Sequence, residues 1–344
     1  MSHSFFAFCG QLTQNPALAL FTLLTLGVLL VNGWTDAPNA IAGAVVTGAL
    51  SFRRAILLAA VCNFLGVCCV TAVNASVAET VYSIASFSGG PRAASVALSA
   101  GMAGVVLWAA ACWRWGIPTS ESHALVAGIT GAAVALEGDW SCVRWESWGK
   151  VLLGLLLSTV AGFWCGRGVG GRAQSWKGSD RLFRFLQLPG AAATAFFHGA
   201  QDGQKFLGVF LLGVALVQGR QDEQTFVVPL WLLLLCAMGM ALGTGLGGRR
   251  IIDTVGREMV TLTPREGFAC DIAGAGCLLA ATVLGLPVST THTRTAALLG
   301  VGSAGGKRAD WRVAGMIAVA WGLTFPGCTI LGWGIARLFL HLGQ

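Results

Sequence analysis

The first half of the chain carries NGWTDAPNA (Asn32 to Ala40) and then GIPTSESH (Gly116 to His123), each between long apolar runs. The second half carries a matching pair, HGAQDGQK (His198 to Lys205) and then GLPVSTTH (Gly285 to His292). The motif aspartates lie 166 residues apart and the final histidines 169 residues apart, so order and spacing are both repeated. A duplicated chain with polar breaks in apolar segments is typical of secondary transporters, which build their substrate site between the repeats.

The composition indicates a multi-pass membrane protein. Of the 344 residues, 55% are hydrophobic and 11% are charged, and the mean hydropathy is +0.71. Soluble domains carry roughly 25% charged residues, so this chain has too few charges for a solvated surface. The net charge of +7 is spread between apolar segments, which favours loops at a lipid surface over a nucleic-acid partner.

The cysteines and the N-terminal segment narrow the class of protein further. The eleven cysteines include no C-x-x-C pair, so they predict neither a disulfide framework nor a zinc site, and no metal site is assigned. The N-terminus lacks a basic region and a convincing cleavage site before its first apolar run, so we expect this run to be a retained helix.

Twelve apolar segments are predicted, six in each half. Segment 37–50 would rise only about 21 Å as a helix, which is less than the roughly 30 Å hydrocarbon core. Short segments beside polar motifs are therefore expected to be broken helices or re-entrant hairpins at a central site. The segments are 16–33, 37–50, 53–73, 93–112, 117–136, 149–166, 185–199, 204–218, 226–247, 267–286, 287–305 and 311–340.

The prolines place the motifs at helix N-termini. Pro38, Pro118 and Pro287 lack an N–H and are best tolerated in the first turn of a helix. We therefore expect an all-α fold of two repeats, joined by the longest basic stretch, which should face the cytoplasm. The expected units are a first transmembrane repeat (1–166), a basic linker (167–184) and a second transmembrane repeat (185–344).

Six charged residues fall within or beside the apolar runs. Each costs about 2.5–3.5 kcal/mol at the centre of a membrane, so charged residues without a function there would be hard to explain. An alternative for Glu121 and Arg294 is a place at the interface, from which a long side chain reaches water. The six are Asp36, Glu121, Asp202, Lys205, Asp271 and Arg294.

Hydroxyl clusters stand where two helices should begin. Free N–H groups and the positive end of the helix dipole favour an anion there, although helix capping alone is the simpler alternative. An anion beside two carboxylates is unfavourable unless a cation lies between them or the carboxylates are protonated, so we expect cation coupling. Three motif histidines, His123, His198 and His292, have either a structural role or a role in proton relay.

At these residues the chain resembles the inorganic phosphate transporter (PiT) family, bacterial branch. The strings GFACDIAGAG (Gly267 to Gly276) and AWGLTFPG (Ala320 to Gly327) extend the resemblance to roughly residues 30–330. It implies an inverted-repeat fold with separate transport and scaffold parts, and symport of inorganic phosphate with Na⁺ or H⁺. It also implies a homodimer among membrane lipids in the bacterial cytoplasmic membrane, and no cofactor. Thr35 and Gln201 stand where the family usually has Asn, and Asp271 stands where Glu is common.

The expected site combines these assignments. Phosphate would bind Asn39, Ser120, Ser122, Lys205, Ser289, Thr290 and Thr291. The coupling cation would bind Asp36, Asp202, Thr35, Gln201, Asp271 and Glu121, of which Glu121 replaces a hydroxyl residue of the family. The alternatives are a sulfate or other oxyanion transporter on the same fold and, more remotely, an intramembrane hydrolase. The chain has neither G-x-S-x-G nor H-E-x-x-H, so it is not expected to be an enzyme.

Overall fold

A computed structural model describes residues 4–117, 119–219, 221, 227–254, 262–304 and 311–342, so Pro118 lies outside the described residues. This part of the chain is helical, apart from loops and one isolated bridge between Ala85 and Val143. The helices are α1 (Phe5–Gln14), α2 (Pro16–Thr35), α3 (Pro38–Val46), α4 (Phe52–Val73), α5 (Ser76–Tyr82), α6 (Pro91–Arg114), α7 (Glu121–Glu137), α8 (Trp145–Ala173), α9 (Asp180–Val217), α10 (Leu230–Leu246), α11 (Arg249–Asp253), α12 (Pro264–Val283), α13 (Thr290–Ala304) and α14 (Trp311–Leu342).

Six helical stretches among the described residues are long and apolar enough to cross a membrane. They are Pro16–Val46, Phe52–Val73, Pro91–Arg114, Trp145–Ala173, Pro264–Val283 and Trp311–Leu342. Helices α3, α7 and α13 are shorter, with 9, 17 and 15 residues. At 1.5 Å per residue, α3 and α13 are shorter than the hydrocarbon core, as expected for broken helices beside the motifs.

The first aspartate motif breaks a helix, as predicted. Helix α2 ends at Thr35, and α3 begins at Pro38, whose ring nitrogen cannot continue the hydrogen-bond ladder. The Asp36 N–H still bonds the Asn32 carbonyl at 2.8 Å, so the turn is tight. Asp36 therefore lies in the polar gap between two helices.

The second aspartate motif does not break its helix, and the prediction of separate segments 185–199 and 204–218 is wrong. Helix α9 runs without interruption for 38 residues through Asp202 and Lys205. The position that matches Pro38 is Gln204, which keeps its N–H and lets the ladder continue. The proline that α9 does contain is Pro189, well before the motif.

The helix packing is symmetric under exchange of the halves. Helix α4 packs on α9 and α10 packs on α2, while α13 packs on α8 and α14 packs on α7. The pair α2 with α6 has its counterpart in α9 with α12, and α6 with α14 has its counterpart in α12 with α8. A two-fold repeat would give this pattern, and each half contributes helices to the core of the other. The inverted orientation and the unit boundaries stay predictions.

Candidate functional site

The short helices α7 and α13 meet at their N-termini in the centre of the molecule. The hydroxyl groups of Ser120 and Ser289, one residue before each helix, lie 2.9 Å apart. The rings of His123 and His292, one turn further on, lie 4.6 Å apart. Equivalent residues of the repeated motifs are thus in contact across the centre, and all are buried.

Helix capping does not account for both hydroxyl clusters. The Ser289 hydroxyl accepts the N–H of His292 at 3.2 Å, which is a capping bond. Ser120 holds the same position before α7 but makes no side-chain capping bond, and its hydroxyl accepts the bond from Ser289. The first N–H groups of α7 are therefore left without a side-chain cap, which favours the anion-site interpretation for this helix.

The second-half aspartate lies among donors from both halves. Asp202 Oδ1 accepts Lys205 Nζ at 2.7 Å and Ser122 Oγ at 3.4 Å. Its other oxygen, Oδ2, accepts Thr290 Oγ1 at 3.1 Å and Asn32 Nδ2 at 3.3 Å. Four donors satisfy a fully buried carboxylate, which burial would otherwise penalise heavily.

The first-half aspartate has the equivalent surroundings but fewer donors. Asp36 Oδ1 accepts Asn39 Nδ2 at 3.1 Å and also the Thr291 hydroxyl. Asp36 Oδ2 receives no bond from an amide or hydroxyl. The carboxyl group of Glu121, which accepts Thr35 Oγ1 at 2.6 Å, lies against Asp36. Two buried carboxylates in contact need a cation or a shared proton between them.

These side chains form a candidate cation site. One ligand atom each from Asp36, His198 and Asp202 lies within 4.8 Å of the others, the one such group of three among the described residues. Carboxyl groups outnumber the ammonium group three to one here, since Glu121 adjoins Asp36 and Lys205 adjoins Asp202. With all three carboxyl groups ionised, the site would carry an excess of negative charge that a bound cation or proton would offset.

Two residues that we predicted to bind the coupling cation have other partners. Asp271 on α12 pairs with Arg294 on α13 at 2.8 Å, and both side chains are buried. Arg294 is thus not an interfacial residue, and Glu121 is buried as well. The Gln201 side chain bonds Thr282 Oγ1 at 3.0 Å and the Val288 N–H at 3.3 Å, so it holds the extended segment that leads into α13.

The three motif histidines occupy two different environments. His198 bonds Asn63 Oδ1 at 3.0 Å and lies 3.3 Å from Asp202 Oδ2, so it belongs to the aspartate cluster. His123 stacks on Phe325, and His292 stacks on Trp321 with ring centroids 3.5 Å apart. The aromatic rings of α14 therefore cover the histidine pair.

Some site residues were not predicted. Asn32 lies inside the quoted motif, yet its bond to Asp202 joins the two halves in a way that no local pattern shows. Asn63 is a lone amide in the apolar helix α4 and orients His198, while it also donates to Thr244 Oγ1 at 2.9 Å. An isolated Asn in a membrane segment is the signal that could have indicated it.

The sequence matches the model of the Phosphate transporter family over residues 32–176 and 169–332. The chain belongs to this family. It is 32% identical to a probable low-affinity inorganic phosphate transporter of Bacillus subtilis over 330 residues, which cover 94% of this chain and 97% of the relative. A probable low-affinity inorganic phosphate transporter of Mycobacterium bovis is 35% identical over 335 residues, with 92% and 77% covered.

A solved structure described as the sodium-dependent phosphate transporter has the same fold. Its TM-score is 0.82 at 22% sequence identity, and the match covers 94% of this chain and 99% of that one. Together with the family and the six membrane spans, this fold confirms the predictions of an all-α, multi-pass transporter of the plasma membrane that is not an enzyme.

Proposed function

We propose that the chain is a secondary active symporter that imports inorganic phosphate together with Na⁺ or H⁺. The observation that carries this proposal is the meeting of two hydroxyl-bearing helix N-termini beside the buried carboxyl groups of Asp36 and Asp202. Helix N-termini attract an anion, and the carboxyl groups attract a cation, so each ligand makes binding of the other more favourable.

Phosphate would bind between the N-termini of α7 and α13. The hydroxyl groups there now bond one another or the aspartates, and phosphate oxygens would replace those bonds. A monohydrogen phosphate also carries an O–H that a carboxylate accepts, which sulfate lacks at neutral pH. This difference favours phosphate over sulfate. The proposed ligands are Asn39, Ser120, Ser122, Ser289, Thr290 and Thr291.

The coupling cation would bind at the carboxyl groups of the first half. Asp36 and Glu121 lie against each other, and Thr35 donates to Glu121 at 2.6 Å. A Na⁺ between the carboxylates, or a proton shared by them, would remove their repulsion. Asp202 and His198 border the same space. We leave Asp271 outside this site because Arg294 already neutralises it.

The proposal is tested by uptake of radiolabelled phosphate into proteoliposomes that contain the purified chain. Inward gradients of Na⁺ and of H⁺ are imposed separately, with Na⁺ first because the similar solved structure is described as sodium-dependent. We expect saturable uptake that one of the two gradients drives, and excess unlabelled sulfate should not compete with it. Uptake that neither gradient changes would contradict symport, and full competition by sulfate would favour a general oxyanion transporter.

A further inference from the structure

The ammonium group of Lys205 has the surroundings of a bound metal cation. Its Nζ lies 2.7 Å from Asp202 Oδ1, 2.7 Å from Ser122 Oγ and 2.5 Å from the carbonyl oxygen of Val288. A carboxylate, a hydroxyl and a peptide carbonyl are oxygen ligands that hard cations prefer. The side chain is 2% exposed, so no water shell replaces these contacts.

The contacts use the full donor capacity of the side chain. An ammonium group has three N–H bonds and no acceptor, and here three protein oxygens accept them. The oxygens come from α9, from the first turn of α7 and from the segment before α13. Lys205 therefore has no free hydrogen for phosphate unless one of these bonds is given up, although sequence reasoning assigned it to the anion.

The matching residue of the first half makes the same pair of contacts without a charge. Asn39 Nδ2 lies 3.1 Å from Asp36 Oδ1 and 3.3 Å from Thr291 Oγ1, which is the counterpart of Ser122. The first half thus keeps an uncompensated carboxyl pair, Asp36 with Glu121. The second half has a single carboxylate, Asp202, which Lys205 neutralises. At the matched positions Asn39 and Lys205, the halves share a geometry and differ by a fixed positive charge.

We propose that the Lys205 ammonium permanently fills a monovalent-cation site of the second half, so that the mobile coupling cation binds only at Asp36 in the first half. This inference rests on the proposed symport and names the residue that limits how many cations accompany each phosphate. Lys205 then determines the number of coupling cations and not which cation is bound. Removal of the ammonium group should leave a vacant site that a free cation can occupy.

Binding of radiolabelled Na⁺ to the purified chain in detergent tests this proposal. Lys205→Ala removes the ammonium and leaves its three oxygen ligands, so it should bind one more Na⁺ per chain than the unaltered protein. Lys205→Met is the matched control, because it fills the space with an uncharged side chain and should bind no additional Na⁺. Equal Na⁺ binding by Lys205→Ala and the unaltered chain would overturn the proposal.

A second variant decides the question if Lys205→Ala does not yield folded protein. Lys205→Gln keeps a long hydrogen-bonding side chain but has no charge, so phosphate uptake should fall by about tenfold or more. Uptake at the unaltered level by Lys205→Gln would show that the charge is unnecessary. Since Na⁺ binding is measured without phosphate transport, a gain of one Na⁺ in Lys205→Ala would stand even if the unaltered chain failed to take up phosphate.

Discussion

Asp36 lies in the gap between α2 and α3, where residues of both halves contact it. Asn39 and Thr291 donate to one oxygen, and Glu121 adjoins the carboxyl group. Asp36→Asn keeps the size of the side chain but removes the charge that attracts the cation. We therefore expect radiolabelled phosphate uptake to be abolished while the protein still reaches the membrane.

The matched control for this variant is Asp139→Asn, in an exposed turn between α7 and α8. The Ser141 hydroxyl and N–H hold the pKa of the Asp139 carboxyl below its usual range, so the control also removes a charge that is present at neutral pH. Its uptake should be unchanged. Full activity of Asp36→Asn would contradict the assigned coupling role.

We expect variants that break the Asp271–Arg294 pair to lose stability rather than cation coupling. Breaking a buried ion pair on one side leaves an unpaired charge and costs about 3–5 kcal/mol. Arg294→Met should therefore lower the thermal unfolding midpoint in detergent, and the double variant Asp271→Asn with Arg294→Met should recover part of the loss. Lys150→Met, which breaks the exposed pair with Glu146, is the control and should change little. No recovery in the double variant would argue against mutual neutralisation.

Individual residues of the site were predictable, but not all of their contacts. Repeated motifs indicated Asp36, Asp202 and the hydroxyl clusters, because identical chemistry recurred at nearly constant spacing. The partner of Asp271 was not predicted, since Arg294 lies 23 positions away on the next helix and only the packing of α12 on α13 joins them.

Helices α7 and α14 pack against each other through glycines. A methyl group added at Gly332 would overlap the carbonyl group of Gly128, whereas one added at Gly334 would meet nothing within 4 Å. Gly332→Ala should therefore lower the unfolding midpoint, because backbones packed this closely have no room for a side chain. Gly334→Ala on the same helix should leave it unchanged or raise it, since Ala favours a helix by up to about 1 kcal/mol over Gly. Equal midpoints for the two variants would contradict this packing.

The break inside the first motif was predictable because a proline determines it. Pro38 ends the hydrogen-bond ladder before α3, so the first motif was placed correctly between helices. The second motif has similar polarity, which suggested a second break, but polarity alone does not remove an N–H. Its polar side chains instead find partners within the buried centre, and α9 stays continuous.

For the whole molecule, the exchange of packing partners predicts that the halves depend on each other. Helix α13 of the second half packs on α8 of the first, and α14 packs on α7. We expect fragments divided between Trp176 and Lys177, in the loop between α8 and α9, to copurify and to transport phosphate when they are expressed together. Each fragment expressed alone is the control and should not yield monodisperse protein. A stable first half on its own would contradict this interdependence.

Composition was enough to predict the fold class, because 55% hydrophobic residues arranged in long runs are typical of membrane-spanning helices. The repeat was visible as well. The packing of helices of one half on helices of the other was not predictable. Apolar helices present similar surfaces to lipid and to one another, so hydropathy does not indicate which helices will pack together.

The place of α14 over α7 has a consequence for the order of events on the ribosome. Helix α7, with Glu121 and Ser122 at its start, is buried almost throughout, and α14 supplies part of that cover. About 200 residues separate the two, which corresponds to roughly 10–40 s of synthesis at 5–20 residues per second. During that interval the nascent α7 has neither the ring of Phe325 on His123 nor the backbone of Gly332 against Gly128, so this face of α7 stays uncovered until the chain is nearly complete.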